Sequence, residues 1–340
     1  MEKVKALGLL SGGLDSNLAT RVMLRLGFEV TALNFSSPFC NCTRKDHGCK
    51  NEAKRLADEL GIPVRVEFMG QEYLDLVRNP KHGYGKNLNP CVDCRIMIFR
   101  RAKDVMEETG AAFIFTGEVV GQRPMSQKLD RMNLIDREAG LTGLVVRPLS
   151  AKLLSPTIPE QRGIIDRETM LAIQGRSRKD QIRLAREEFA MSENLCSSGG
   201  CMLTDAHFAH RMRDLLDHDA QAGVKDARLL RLGRHFRISR RLKIVVGRDE
   251  KENGKLERMA APEDFVFHPD EASAVRGPLS VAKGTFGRDD LALIGAIVAR
   301  YCDGAGDAPA SIRYRRKGGG PSWVIAARPA TEAQLAQWRV

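Results

Sequence analysis

No apolar run in this 340-residue chain is long enough to cross a bilayer, which excludes a membrane-spanning helix. A secretory leader is missing as well, since the N-terminus runs straight into the apolar stretch Val4 to Leu10, and a cytoplasmic location is expected. No segment repeats at a fixed period, which argues against a solenoid. No tract is of low complexity, and Lys317-Gly-Gly-Gly-Pro321 reads as a loop. One absence bears on chemistry. Gly8 and Gly13 have the spacing of a Walker A loop, but Leu14-Asp15 stands where that loop needs Lys-Ser/Thr, which argues against γ-phosphoryl transfer.

What is present begins directly after that first apolar stretch, with Ser11-Gly12-Gly13-Leu14-Asp15-Ser16 followed by the helical pattern Leu18, Ala19, Val22, Met23, Leu26. A buried strand feeding a Gly-Gly turn and a helix leaves unpaired N–H groups at a helix start, where the dipole favours an anion. Glycines let the backbone close on that anion. The segment therefore reads as a phosphate loop. The net charge of +11 points to a polyanionic partner. Eight cysteines in a chain expected in the cytosol read as metal ligands or catalytic thiols rather than disulfides.

The N-terminal part alternates apolar runs with helical patterns. Phe28 to Phe35, Val64 to Met69 and Ala111 to Phe115 read as strands; Ala53, Leu56, Ala57, Leu60 and Ile96, Phe99, Ala102, Val105, Met106 read as helices closed by Gly61 and Gly110. The order predicts an α/β fold, a doubly wound parallel sheet, with ligands beyond the strand C-termini. We expect this domain over 1–175 and a helical connecting segment over 176–223 that carries Cys196 and Cys201. A smaller, basic α+β domain over 224–340 completes the division, opening with Arg228, Arg231, Arg234, Arg237, Arg240, Arg241, Lys243 and Arg248.

The SGGLDS loop resembles the PP-loop of ATP pyrophosphatases, which hold pyrophosphate while AMP passes to a substrate oxygen. With Thr116-Gly117-Glu118-Val119-Val120-Gly121-Gln122 and Ser126-Gln127, it resembles the tRNA 4-thiouridine synthetase family in particular. The match needs one extra residue around Arg123-Pro-Met125, and Asn34 stands for a histidine in the turn Asn34 to Phe39. The resemblance implies a nucleotide site built from Leu9, Leu10, Ser11, Gly12, Gly13, Asp15, Ser16, Asn34, Phe35, Arg95, Gly117 and Gln127, with Arg95 placed after a one-residue shift. Asp15 is the expected Mg²⁺ ligand beside ATP, since Mg²⁺ takes carboxylate and phosphate oxygens.

Asn89-Pro90-Cys91-Val92-Asp93-Cys94 puts a C-x-x-C at a helix start, where the dipole lowers a thiol pKa. It resembles the NPC-x-x-C segment of the tRNA 2-thiouridylases, and Gly199-Gly200-Cys201-Met202-Leu203-Thr204 resembles their later cysteine segment. Two readings follow from these resemblances. Cys94 and Cys201 alternate as persulfide carrier and resolving thiol, or Cys91, Cys94 and Cys201 hold an iron-sulfur cluster with one iron open; the lack of an obvious fourth ligand favours the cluster. Cys40, Cys42 and Cys49 with His47 have the composition of a structural zinc site, against an idle or redox-buffering loop. Cys196 is spaced to pair with Cys201, and Cys302 has no evident partner.

Val245-Val-Gly-Arg248 to Leu256, Asp264-Phe-Val-Phe-His268 and Gly277-Pro278 resemble the RNA-binding domain of NFACT proteins. Arginine and lysine beside alternating apolar strand residues suit a surface that grips phosphates without reading bases. The thiouridine family usually carries an N-terminal RNA-binding region, and some members end in a rhodanese domain; neither stands in this sequence. RNA capture is then expected from the C-terminal domain and sulfur delivery from Cys91, Cys94 and Cys201, with Asp15, Cys94 and Cys201 as the catalytic set.

The expected function is an ATP-dependent tRNA sulfurtransferase, with tRNA and a sulfur donor (a cysteine desulfurase or sulfide) as partners and a homodimer left open. The TGE-x-x-GQ segment favours 4-thiouridine, and NPC-x-x-C favours 2-thiouridine. A PP-loop ligase or sulfurtransferase for a small molecule and an ATP-switched RNA-binding factor are the rival expectations.

Overall fold

Strand alternation decides how the first unit is layered. In β1 (Lys5–Leu9) Ala6 belongs to one core, with the helix α1 (Leu14–Arg25), and Leu7 to another. The computed structural model describes residues 3–40, 49–191, 200–272, 275–304 and 308–340, with only the backbone at 49 and 50. It divides into two units, Met1–Thr204 and Asp205–Val340. The segment expected to connect two domains is shared between them.

The first unit continues with β2 (Glu29–Ser36), α2 (Cys49–Leu60), β3 (Val64–Phe68), α3 (Gln71–Arg78), α4 (Cys91–Thr109), β4 (Phe113–Thr116), α5 (Leu129–Glu138), β5 (Val145–Val146), α6 (Ile158–Gln161) and α7 (Lys179–Glu187). The five strands form a parallel sheet in the order β3-β2-β1-β4-β5. Phe113 and Phe115 pack with Leu18, Val22 and Met23 of α1 and Leu184 of α7, while Ile114 packs with Ile96, Phe99 and Val105 of α4 and Ile135 of α5. Both faces are covered, as a parallel sheet requires. The expected α/β architecture is therefore present, and β1, β2 and β4 end at one rim.

Gly8 has a different job from the one its spacing indicates. A Cβ there would lie 2.4 Å from the Phe115 ring, so it is a packing glycine of β1 that lets β4 seat its aromatic side chain. The phosphate-loop glycines are Gly12 and Gly13 alone.

The second unit holds α8 (Ala206–His218), α9 (Val224–Leu229), β6 (Arg234–Ser239), β7 (Leu242–Val246), α10 (Glu250–Met259), β8 (Phe265–Pro269), β9 (Ser280–Gly284), α11 (Arg288–Arg300), β10 (Ala310–Arg316), β11 (Ser322–Ala327) and α12 (Glu332–Trp338). Its strands form an antiparallel sheet, β11-β10-β8-β9-β7-β6. Along β7, Leu242, Ile244 and Val246 join the core under α11, whereas Val245 joins Leu229 and Leu256 of α9 and α10 on the opposite face. Cys302 is buried in the larger of these cores, its thiol donating to Val298 O at 3.4 Å. Among the described residues no helix is long and apolar enough to cross a membrane.

Candidate active site

At the end of β1 the chain turns through Leu10 to Gly12 into α1, whose N-cap is Gly13 without a side-chain acceptor. The first N–H groups of a helix have no partner inside it. Gly12 has φ +79°, and a Cβ on it would lie 2.7 Å from Glu52 Cβ, so the turn accepts only glycine there. Ser11 and Ser16 close the loop on itself: their hydroxyls are 3.1 Å apart, and Ser16 Oγ donates to Gly13 O at 2.9 Å. These hydroxyls shape the loop before any anion arrives.

The loop forms one wall of an open cleft at the C-terminal rim of the sheet. Leu9, Leu10, Ser11, Gly13, Asp15, Ser16, Asn34, Phe35, Arg95, Gly117 and Gln127 all line it; of the twelve residues expected at the nucleotide, Gly12 alone stands back from the surface. Cys91, Glu118, Arg123, Ser126 and Arg178 line it too. Thr116, Glu118 and Ser126 stood in the motif that pointed to the site. Arg178 had no signal, because it comes from the turn before α7 and carries no neighbouring pattern.

Side chains around the cleft are held by one another. Asn34 is buried and donates from Nδ2 to Leu10 O at 2.7 Å, which pins the loop to β2; its Oδ1 has no partner among the described residues. Gln122 Nε2 donates to Asp15 Oδ2 at 3.0 Å, and Asp15 Oδ1 is likewise buried without a partner. Arg178 reaches within 3.9 Å of the same carboxylate. A carboxylate oxygen left in this state, next to a phosphate loop, fits a Mg²⁺ ion, which takes oxygen ligands and neutralises phosphate charge. Gly117 packs main chain on main chain: a Cβ there would fall 2.4 Å from Asp15 C and Ser16 N.

Arg95 is not an unpaired cation waiting for phosphate. It is bound to Glu118 through Nε at 3.0 Å and through its terminal nitrogen, and it stacks 5.1 Å over Phe99. Glu118 also accepts from Arg147 Nε at 3.0 Å, and Arg147 forms a forked pair with Asp136 at 2.8 and 2.7 Å. Burial pushes the Glu118 carboxyl up, but Arg95 and Arg147 outweigh it and hold it below the usual range. At Asp136 burial wins over Arg147, and its pKa rises.

The cysteine segments come together near this cleft. Leu88 N–H donates to Leu203 O at 3.1 Å and Asn87 Nδ2 to Thr204 O at 2.8 Å, joining the NPC segment to the Cys201 turn. Cys91 opens α4 and Cys94 follows one turn later, where the buried Tyr73 hydroxyl bonds its sulfur. The expected low thiol pKa is corrected here. Burial pushes Cys94 up to about 11 against the Tyr73 hydrogen bond, and pushes Cys201 up to about 12. Desolvation of a thiolate outweighs the helix dipole at these positions. Among the described residues no three His, Cys, Asp or Glu side chains are arranged to hold a metal ion.

Cys40 is described at the end of its loop. It pairs with Cys201 in an isolated antiparallel bridge. Cys42 and His47, expected beside it in a zinc site, lie outside the described residues, as do the Cys49 side chain and Cys196.

In the second unit the basic run is less available than its count indicates. Lys243 is buried, and with Arg237 it clamps Asp214, through Nζ at 2.6 Å and a guanidinium fork at 2.8 and 2.9 Å. Arg248 is paired with Glu252, and Arg234 lies 4.5 Å over the Tyr301 ring. Arg240 and Arg241 are exposed in the turn between β6 and β7, and Arg316 is exposed at the end of β10. On edge strand β11 Trp323 is 45% exposed and stacks on Tyr314 at 5.3 Å.

The first unit is a parallel α/β domain with a glycine-rich loop in the wall of its cleft, and the second is an antiparallel sheet domain. Residues 2–152 match the family described as Thiamine biosynthesis protein (ThiI), and residues 233–339 match the NFACT protein RNA binding domain. Each match covers less than half of the chain, so the first unit is similar to the one family and the second to the other. A probable tRNA sulfurtransferase of Methanothermobacter thermautotrophicus is 31% identical over 43% of this chain and 36% of its own length. A tRNA-specific 2-thiouridylase of Leptospira interrogans is 29% identical over 30% of this chain and 32% of its own. A tRNA sulfurtransferase of Shewanella loihica is 26% identical over 56% and 39%. The chain spans about a third of the length of these curated relatives, 32% to 39%.

Proposed function

We propose that this protein is an ATP-dependent tRNA thiouridine synthase. The observation that carries the reading is the sharing of one cleft by the SGGLDS loop, the Gly117 to Gln127 segment and Cys91. A phosphate loop and a thiol at the same cleft suit activation followed by sulfur transfer.

The uridine carbonyl oxygen is a poor leaving group and must first be esterified. In the proposed reaction it attacks the α-phosphate of ATP, and pyrophosphate leaves into the N–H groups at the start of α1, where the dipole favours the growing negative charge. Asp15 Oδ1 is the oxygen that would hold Mg²⁺, which neutralises the phosphates when bound. Gln122 fixes the other carboxylate oxygen, and Arg178 adds positive charge beside it. Phe35 and the anchored Asn34 close the adenosine end. Sulfur then reaches the activated carbon from the thiol set Cys91, Cys94 and Cys201, loaded as a persulfide by a cysteine desulfurase, or comes as free sulfide that attacks this carbon directly and displaces AMP. The exposed Arg240, Arg241 and Arg316 and the Trp323 face supply phosphate contacts and a stacking surface for RNA.

The TGE-x-x-GQ segment supports 4-thiouridine as product. The NPC-x-x-C segment supports 2-thiouridine as the second reading. The test is incubation of the reduced protein with unmodified tRNA, ATP, Mg²⁺ and a persulfide donor, followed by nucleoside mass spectrometry. A thiouridine peak that requires ATP is the expected result, and its retention time separates the isomers. Pyrophosphate release without tRNA would transfer the reading to a small-molecule acceptor; tRNA binding with no thiouridine would transfer it to an RNA-binding factor.

A further inference from the structure

Cys40 and Cys201 are 161 residues apart in sequence but face each other as partners in an isolated antiparallel bridge. The bridge is of a definite kind. Met202 N–H donates to Phe39 O at 2.8 Å, so the bond joins the residue before Cys40 to the residue after Cys201. That pattern makes Cys40 and Cys201 a non-hydrogen-bonded pair, the arrangement in which Cα atoms lie about 4.5 Å apart and side chains leave on one face. A disulfide spans Cα separations of about 4.4 to 6.8 Å. The backbone bridge thus sets the two Cα atoms in the range that a disulfide spans, and both are free thiols here.

The surroundings reinforce the pairing. Ser37 N–H donates to Cys40 Sγ at 3.3 Å, which holds the sulfur at a defined place in its turn. Cys40 acts electrostatically on both Cys94 and Cys201, and all three act on Tyr73. Four cysteines therefore occupy one neighbourhood, where the sequence segments pointed to three.

We propose that Cys40 is the resolving thiol for a persulfide carried on Cys201, a reading that rests on the thiolation function above. The terminal sulfur of the Cys201 persulfide attacks the adenylated uridine carbon, and the carbon–oxygen bond breaks with AMP taking the electron pair. The persulfide proton goes to solvent, and the nucleoside is left joined to Cys201 through a sulfur–sulfur bond. Cys40, having lost its proton to solvent, attacks Cys201 Sγ. The Cys40–Cys201 disulfide forms, the bond to the nucleoside sulfur breaks, and thiouridine leaves as the thiolate. The sulfane sulfur gains two electrons and the two protein thiols supply them. A dithiol reductant restores the pair, and a persulfide donor reloads Cys201.

The test uses the full chain. After one turnover with a stoichiometric persulfide donor and no dithiol, the protein is digested without reduction and cross-linked peptides are fragmented, which separates Cys40 from Cys42 and Cys201 from Cys196. A Cys40–Cys201 link is expected, and a Cys94–Cys201 link in its place overturns the assignment. In parallel, Cys40→Ser is compared with the unsubstituted chain under excess donor and dithiol. It should release AMP at the normal rate in the first turnover but lower the steady-state thiouridine rate at least tenfold. Equal thiouridine rates overturn the role of Cys40 while leaving the function intact. If the unsubstituted chain makes no thiouridine, the functional reading itself fails, and the proposal with it. Cys40→Ala reports on packing: equal losses in both variants with unchanged thermal stability support a chemical role, and a loss confined to the variant with lowered stability refutes it.

Discussion

Gln122 donates its side-chain amide to Asp15 at 3.0 Å across 107 residues of sequence, and so orients the Asp15 carboxylate at the phosphate loop. The other oxygen of that carboxylate is buried and unpartnered among the described residues. Asp15→Ala should lower AMP formation by a factor on the order of 100, the usual size of a lost electrostatic contact to a developing charge. Gln122→Leu should lower it less and raise the Mg²⁺ concentration needed for half activity. RNA binding should be unchanged in both, as read by filter retention; normal AMP yield in Asp15→Ala would refute the assignment.

Gly117→Ala places a methyl group 2.4 Å from the main chain of Asp15 and Ser16, where no flexible side chain can give way. Over-packing of this kind costs roughly 1–3 kcal/mol. A lowered melting temperature with weakened nucleotide binding is expected. Unchanged melting and binding would mean that β4 and α1 separate easily.

Burial pushes Cys94 up to about 11, so its thiolate is scarce at neutral pH. Alkylation by iodoacetamide, mapped to Cys94 by peptide mass, should therefore accelerate close to tenfold per pH unit from 7 to 10, since only the thiolate reacts. A rate that levels off near pH 7 would contradict the burial of this sulfur.

Asp214 is buried, which raises its pKa, but Arg237 and Lys243 outweigh burial and hold it at about 2, below its ordinary 3.8. A carboxylate whose pKa is depressed on folding adds stability that is complete above the unfolded value. That stability is lost as pH falls from about 4 through about 2. Asp214→Ala removes this dependence and leaves Lys243 buried without its partner, at a cost of roughly 3–5 kcal/mol at neutral pH. Urea denaturation of the full chain at several pH values checks both the size and the slope.

Arg240 and Arg241 sit exposed in the turn between β6 and β7. Replacing both with alanine should reduce the slope of log affinity for tRNA against log salt by roughly 0.7 to 0.9 per arginine, the share of one phosphate contact each. An unchanged slope would place the RNA elsewhere on this unit.

Much of the first unit is legible in sequence because its signals are local. The β1, loop and α1 order depends on alternation and on two glycines that adjoin, and the strands read at Phe28 and Val64 begin within one residue of β2 and β3. What sequence hides is long-range. Cys40 was read with Cys42 and Cys49, its neighbours in the chain, and its backbone bridge to Cys201 carries no local signal. Gly8 had a phosphate-loop spacing that is produced instead by the demand of Phe115 for space. Arg237 and Lys243 counted toward a basic surface, whereas Asp214, on a preceding helix, draws both inward. Ile182 fitted an apolar pattern and is nonetheless 42% exposed, for periodicity alone does not fix which side of a short helix meets the sheet.

The chain of four alternating charges, Arg95, Glu118, Arg147 and Asp136, cancels to zero along its own length. Arg95 and Glu118 therefore give their side of the cleft almost no field, although both are ionic. At the first turn of α1 Arg178 is matched in turn by Asp15, 3.9 Å away, so the unpaired N–H groups of the helix start are what draws an anion. Attraction for negative charge is thus concentrated at the loop, and a ligand with a charged tail and a neutral head is oriented by where its tail docks.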